Sequence, residues 1–158
     1  MSSMYNLQAD GLSRAILRSK NPKLNLIAFE PLMLKKSELK ALQPHMLIAL
    51  GKKLPQVYIY RKGGVVGQAK LGQVKDREVL IISAKERVSN LGKPESKYSV
   101  LECRIAILPK REFVVGKLVL LPKNVAKNIQ IFMKQTLIAS AALLQNDEEY
   151  FLQINEVY

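Results

Sequence analysis

The sequence predicts an all-β protein made of two small, similar modules that pack on each other as a pseudo-symmetric pair, with a short helix in front. Two observations support this fold class. Apolar and polar residues alternate along strand-sized segments that are separated by turn residues. The second half of the chain also repeats the pattern of the first half at an offset of 72 residues, without a gap over three strands and two turns.

The chain opens with a segment, residues 1–23, that we expect to form a short amphipathic helix followed by a linker. Four apolar residues share one side of a helix predicted over residues 5–19: Leu7, Leu12, Ala15 and Ile16. The tetrapeptide "KNPK" at 20–23 ends it.

The first module covers residues 24–84 and contains five predicted strands. A helical turn, "KKSELKAL", follows the first strand, and we expect Ser37 to cap it and Pro44 to end it. In the hairpin turn "KGG", Gly63 and Gly64 can adopt positive φ at low cost. The strands are predicted at about 24–34, 46–50, 56–61, 64–72 and 78–83.

A polar segment at 85–97 that contains Gly92 and Pro94 is predicted to link the modules. The second module, residues 98–158, lacks the helical turn of the first but keeps the flanking strands. Its strands are predicted at about 98–108, 111–121, 128–134, 136–144 and 149–156. Each module has only about 60 residues, so it would bury a small core alone and gains by packing on its copy.

The repeat aligns Val57 with Ile129 and continues to the last strand of each module, where Leu80 meets Leu152. Upstream, "LIAL" at 47–50 is aligned with "VLLP" at 119–122. Alternation alone makes any two strands look alike. Agreement across three consecutive strands and both turns indicates a true internal repeat.

The net charge of +12 is concentrated in the middle of the chain, because residues 31–97 hold fourteen basic and five acidic groups. Such a surface can be a solvated lysine face or can meet an acidic partner protein. It can also bind nucleic acid or acidic lipid. The basic residues alternate with apolar ones and do not cluster with aromatic residues, which favours the first two interpretations.

Candidate chemical sites are few. Cys103 is the only cysteine and His45 the only histidine, which excludes an internal disulfide and a Cys- or His-rich metal site. The glycine-rich "RKGGVVGQ" lacks the Gly-Lys-Ser/Thr end of a phosphate loop and lies between strands. We find no carboxylate pair, triad or cofactor loop, so we expect a protein without enzymatic activity, cofactor or metal.

We expect neither a secretory leader nor a membrane span in this sequence. The N-terminus "MSSMYNLQAD" has no apolar core, and no apolar run approaches the roughly 18 residues that a span requires. The single cysteine fits a reducing compartment. We therefore expect a soluble, cytoplasmic protein.

Two quoted segments, "LKALQPHMLIAL" in the first module and "IQIFMKQTLIASAALLQNDEEYFLQINEV" in the second, resemble a known family. They are similar to the SpoA domain, the "surface presentation of antigens" module. It lies at the C-terminus of flagellar motor switch proteins and occurs in tandem in the cytoplasmic ring protein of type III secretion systems. The resemblance covers about residues 24–84 and 98–157. It departs at His45 and Met46, where the family has Gly-Asp, and at the missing helical turn of the second module.

The resemblance implies modules that pair as an intertwined or swapped β dimer. It implies a non-enzymatic scaffold or adaptor in the cytoplasmic ring, or sorting platform, of a type III secretion or flagellar export apparatus. The implied partners are the stator protein of the export ATPase, other ring components and a second SpoA domain. The implied location is the cytoplasm, at the inner face of the bacterial inner membrane.

The resemblance also implies an apolar patch for the stator segment, which falls on Leu143, Leu144 and Gln145. Adjacent residues of a strand face opposite ways, so Leu143 and Leu144 should be divided between core and surface unless a module interface covers both. The alternative function is a basic β-barrel that binds nucleic acid, with Tyr58 and Tyr60 on one face of a strand as stacking platform.

Overall fold

The computed structural model describes residues 24–61, 64–86 and 96–158, and this part of the chain is predominantly β. It contains eleven strands, and ten of them form one continuous antiparallel sheet. The all-β prediction is confirmed. The predicted helix at 5–19, the turn residue Gly63 and most of the linker at 85–97 lie outside the described residues.

The first half follows the predicted order of elements, with one additional break. Its first predicted strand is divided at Glu30 and Pro31, because proline has no N–H to donate to a neighbouring strand. The elements are β1 (Leu24–Phe29), β2 (Leu32–Lys35), α1 (Lys36–Lys40), β3 (Leu47–Gly51), β4 (Val57–Arg61), β5 (Gly64–Val74) and β6 (Arg77–Ala84).

Two local predictions in this half are wrong. Ser37 does not cap α1, because the helix begins one residue before it and the carboxylate of Glu38 accepts the main-chain N–H of Lys35 at 3.0 Å. Gly64 does not have a positive φ, since it is already the first residue of β5.

The second half has five strands and two short 3-10 helices. They are β7 (Tyr98–Pro109), a 3-10 helix (Lys110–Glu112), β8 (Leu118–Leu120), a 3-10 helix (Val125–Lys127), β9 (Ile129–Met133), β10 (Thr136–Asn146) and β11 (Glu149–Val157). The predicted strand at 111–121 is reduced to β8. The chain turns at the first 3-10 helix so that Phe113 enters the core, and the following Val114 and Val115 stay exposed.

The order of strands across the sheet is symmetrical about its centre. It runs β3-β11-β10-β9-β7-β1-β4-β5-β6-β8, and β2 pairs separately with β7. Each half supplies its last three strands in sequence order outward from the centre. The outermost strand then comes from the other half: β3 pairs with β11, and β8 pairs with β6. Each half of the sheet is thus completed by a strand of the other, within one chain.

The two halves share fine details of their backbone. A bulge leaves Val66 unpaired between β4 and β5, and the residue 72 positions later, Ile138, is unpaired between β9 and β10. Likewise Ser83 is unpaired between β5 and β6, and Asn155 between β10 and β11. The repeat at offset 72 therefore holds in three dimensions for these strands.

The repeat does not hold at the same offset for the exchanged strands. Leu80 pairs with Val119 and its equivalent Leu152 pairs with Ile48, so the structure equates 48 with 119. The sequence alignment of 47–50 with 119–122 is wrong by one residue. The second half has one residue more between its exchanged strand and β9, and two continuous apolar runs such as "LIAL" and "LVLL" do not fix their alignment to one residue.

The main core lies on one face of the sheet, which we call the inner face. Equivalent strands contribute equivalent residues to it, all at most 2% exposed: Val57 and Ile129, Ile59 and Ile131, Ala69 and Ala141, Leu80 and Leu152, Ile82 and Ile154. At the centre of the sheet Ala28 lies opposite Arg104. The Arg104 guanidinium is buried 3.9 Å from the ring centroid of Phe132 and contacts Glu102 at 2.8 Å.

Candidate partner-binding surface

The three residues of the implied stator patch lie near the end of β10. Leu143 is opposite Leu152 and packs against the core. Leu144 is opposite Phe151 on the other face, which we call the outer face, and 38% of it is exposed. Gln145 is exposed at the last turn. Of the two leucines, Leu144 therefore offers the larger accessible surface to a partner on the outer face.

Neighbouring strands extend the apolar surface around Leu144. Phe151 lies beside it on β11, and Ala49 of the exchanged strand β3 lies beside Phe151. Two residues along β3, Leu47 is 56% exposed. We call Leu47, Ala49, Leu144 and Phe151 the edge patch. It is assembled from both halves of the chain.

Sequence reasoning found Leu144 but missed Leu47 and Ala49. The alternation within "LIAL" places Leu47 and Ala49 on one face and Ile48 on the other, where Ile48 is buried. That signal was present in the sequence. Only the pairing of β3 with β11, however, brings these residues to a strand that lies about 100 positions later in the chain.

Carboxylates border one end of the edge patch. The turn between β10 and β11 carries Asp147, Glu148 and Glu149, all exposed. They line an open depression of about 730 Å³ together with Lys52 and Phe151. A partner segment with apolar residues and a basic group near its end would complement this surface.

The opposite end of the sheet has an apolar surface at the equivalent place. Ile81 of β6 lies directly opposite Leu118 of β8, and Leu120 lies two residues further along. Leu118 is 46% and Leu120 58% exposed. By register Leu118 is the equivalent of Leu47, so the two ends offer matched positions for comparison.

The two tyrosines of the nucleic-acid alternative do share a face. The ring centroids of Tyr58 and Tyr60 are 6.2 Å apart in an edge-to-face arrangement. Tyr60 is largely enclosed, and burial, reinforced by the negative charge of Glu102, raises the pKa of its phenol well above its usual value. An edge-to-face pair packed into the protein offers little free ring surface for stacking on a base.

Cys103 and His45 lie in different settings, the first inside a strand and the second in a turn. Cys103 is buried in β7, and burial first, then the Glu102 charge, raises the pKa of its thiol to about 12. His45 is exposed in the turn before β3, at φ 71°, and its main-chain N–H donates to the carbonyl of Ile154 at 2.7 Å. A thiol with so high a pKa is a poor nucleophile at neutral pH.

Within the described ranges, no three or more His, Cys, Asp and Glu side chains are grouped so as to hold a metal ion. None of the helices in this part of the chain has the length and apolarity to cross a membrane. The chain matches no protein-family model, and no curated protein matches it.

Proposed function

We propose that this chain is a non-enzymatic scaffold of a bacterial type III export apparatus, of the virulence or the flagellar kind. In this proposal it works in the cytoplasm at the inner face of the inner membrane. It joins other ring components there and binds the stator protein of the export ATPase through the edge patch.

The exchange of strands between the two halves is the observation that carries the proposal. Intertwined pairing is what the SpoA resemblance implies, and the completion of the second half by β3 and of the first half by β8 supports it. Independent modules joined by a linker would each keep their own edge strand. The topology therefore supports the resemblance beyond the apolar pattern of the sequence.

The edge patch supports the binding role. An exposed leucine that lies beside exposed apolar neighbours on the same face gives a shallow strip for an amphipathic helix or strand. Leu47 is 56% and Leu144 38% exposed, so an aspartate at either position costs less folding free energy than one in the core. Binding and folding can thus be separated by substitution.

The test is a calorimetric titration of the full chain with the N-terminal segment of the export-ATPase stator from the same organism. We expect saturable binding that Leu47→Asp and Leu144→Asp each weaken at least tenfold, because the complex would then bury a charged carboxylate where the wild type buries apolar surface. Leu118→Asp, at the equivalent exposed position of the other end, is the matched control and should bind like the wild type.

Failure of a folded wild-type chain to bind the stator segment would remove the proposed partner. Equal weakening by Leu118→Asp and Leu47→Asp would mean that binding does not occur at the edge patch. The nucleic-acid alternative is tested with the same proteins: binding of single-stranded DNA or RNA that weakens steeply with salt and with Tyr58→Ala would bring it forward.

A further inference from the structure

A basic cleft lies on the first half of the sheet and is closed by two residues of the second half, Lys110 and Phe113. It has a volume of about 340 Å³ and lies where the end of β4, the start of β5, the end of β6 and the 3-10 helix after β7 meet. Six residues line it: Arg61, Val66, Lys85, Glu86, Lys110 and Phe113. Its size is that of a small-molecule pocket.

The cleft has an apolar floor and a positively charged rim. Phe113 packs against Gly67, where a Cβ atom would come within 2.6 Å of the ring, so glycine is what lets the ring lie this close. The ammonium of Lys85 is 5.0 Å from the centroid of that ring, which fixes where its charge lies. Ring and lysine together form one side of the cleft.

Arg61 is held in place by a buried amide. Its Nε–H donates to Oδ1 of Asn25 at 2.8 Å, and Asn25 is only 1% exposed. The Nδ2 group of the same Asn25 is buried without a hydrogen-bond partner among the described residues. A buried amide whose N–H groups have no hydrogen-bond acceptor lowers the stability of the folded protein. The advantage of having Asn25 at this position must therefore be something other than stability. One such benefit is to orient the guanidinium, whose terminal N–H groups suit a bidentate anion.

The second half shows that the fold does not require these groups. The residue equivalent to Arg61 is Met133, that of Lys85 is Val157 and that of Glu86 is Tyr158, all at offset 72. The same main-chain hydrogen bond is present at both places, from Glu86 N–H to Val66 O at 3.1 Å and from Tyr158 N–H to Ile138 O at 2.9 Å.

The buried amide is likewise peculiar to the first half. Leu26 pairs with Tyr60 and Glu102 with Phe132, so the register makes Leu101 the equivalent of Asn25. Leu101 is fully buried in the core. The backbone is therefore shared, while Asn25, Arg61 and Lys85 have apolar counterparts in the second half, which points to a ligand and not to the fold as their reason.

The cleft carries more positive than negative charge. Three cations face one carboxylate, and Glu86 already accepts a hydrogen bond from the side chain of Gln68 at 3.3 Å. The net charge of three positive groups and one negative group is +2, which matches a dianion.

We propose that this cleft binds the phosphate group of a small molecule. Arg61 grips two phosphate oxygens, Lys85 and Lys110 neutralise the remaining charge, and the apolar part of the ligand lies on Val66 and Phe113. This site is at the inner face of the first half and is separate from the edge patch. Its occupancy does not depend on the proposed role in export.

The test is an NMR titration of the full chain with inorganic phosphate at constant ionic strength, with succinate as the dicarboxylate comparison. We expect saturable shifts of amides around the cleft with phosphate and at least tenfold weaker binding of succinate. Arg61→Met introduces the residue found at the equivalent position of the second half and should weaken phosphate binding at least tenfold. If Arg61→Met does not fold, Lys110→Met replaces it in the test. Lys70→Met, an exposed lysine outside the cleft, is the control and should leave binding unchanged.

Asn25→Leu separates the positioning role from a merely structural one. It removes the unpartnered amide and installs the residue of the other half, so we expect unfolding at the same or a higher temperature together with weaker phosphate binding. Three results would overturn the proposal: no saturable shift in the wild type, equal loss in Lys70→Met and Arg61→Met, or succinate binding as tightly as phosphate.

Discussion

Gly67 is the position at which a single methyl group tests the packing of the first half most directly. It lies beside a bulge of β5, with the edge of the Phe113 ring above it. A Cβ built there would lie 2.6 Å from Cζ of Phe113 and 2.8 Å from the main-chain oxygen of Ala84. Rotating the ring relieves only the first of these contacts, because the second involves the backbone of β6.

The two contacts set the size of the expected effect. Ordinary contacts of a Cβ atom begin near 3.4 Å, so both neighbours would have to move by more than half an ångström. Forcing a methyl group into a packed site costs about 1–3 kcal/mol. Without the clash, Gly67→Ala would stabilise the protein by about 0.4–1 kcal/mol, because alanine restricts the unfolded chain. A loss of stability in Gly67→Ala would thus support the close packing of Gly67 against Phe113 and Ala84, and a gain would contradict it.

The assay is urea unfolding of the full chain followed by circular dichroism. We expect Gly67→Ala to lower the free energy of unfolding by about 1–3 kcal/mol, or to lower Tm by about 2–12 °C for a domain of this size. Phe113→Leu combined with Gly67→Ala should recover part of that loss. The equivalent residue Ala139 is fully buried, so Ala139→Gly is the reverse control and should cost about 1 kcal/mol. A Gly67→Ala variant as stable as the wild type would refute the reasoning.

Two further predictions concern stability. Leu80→Ala should lower the free energy of unfolding by about 2–5 kcal/mol because Leu80 is fully buried, whereas Leu118→Ala at an exposed site should change it by less than about 0.5 kcal/mol; equal effects in denaturant unfolding would contradict the assigned core. The pKa of the Cys103 thiol is raised in the folded state from 9.0 to about 12. Between these values the unfolded chain loses the thiol proton and the folded chain retains it, so the free energy of unfolding should fall as pH rises from 9 to 12. Cys103→Val should reduce that slope, most clearly between pH 9 and 10, below the range in which Tyr60 adds to it, and an unchanged slope there would show that Cys103 is not its source.

Alternation and turn residues were sufficient to locate most strands. The prediction of 56–61 became Val57–Arg61, and that of 149–156 became Glu149–Val157, because each segment buries two alternate side chains, Val57 and Ile59 in the first and Leu152 and Ile154 in the second. The failures lie where a local contact overrides the pattern. In 111–121 the apolar residues Val114 and Val115 read as strand, but Phe113 is drawn into the core and the chain turns first.

The candidate sites also differ in whether the spacing of residues along the sequence could predict them. Adjacent leucines must face opposite ways on a strand, so the separation of Leu143 from Leu144 followed from spacing alone. The contribution of Leu47 depends on which strand pairs with which, and long-range pairing leaves no periodic trace in the sequence. The same holds for the basic cleft, since Arg61 and Lys110 are brought together only by the fold.

The exchange of outer strands makes the folding of each half depend on the other half. A cut between residues 86 and 96 would break the chain but leave the pairings of β3 with β11 and of β6 with β8 intact. The two fragments would therefore stay associated through these strand pairs. Neither fragment alone could satisfy the backbone of its own sheet edge. The module is therefore the unit of the sequence repeat, whereas the unit that folds is the pair of modules together.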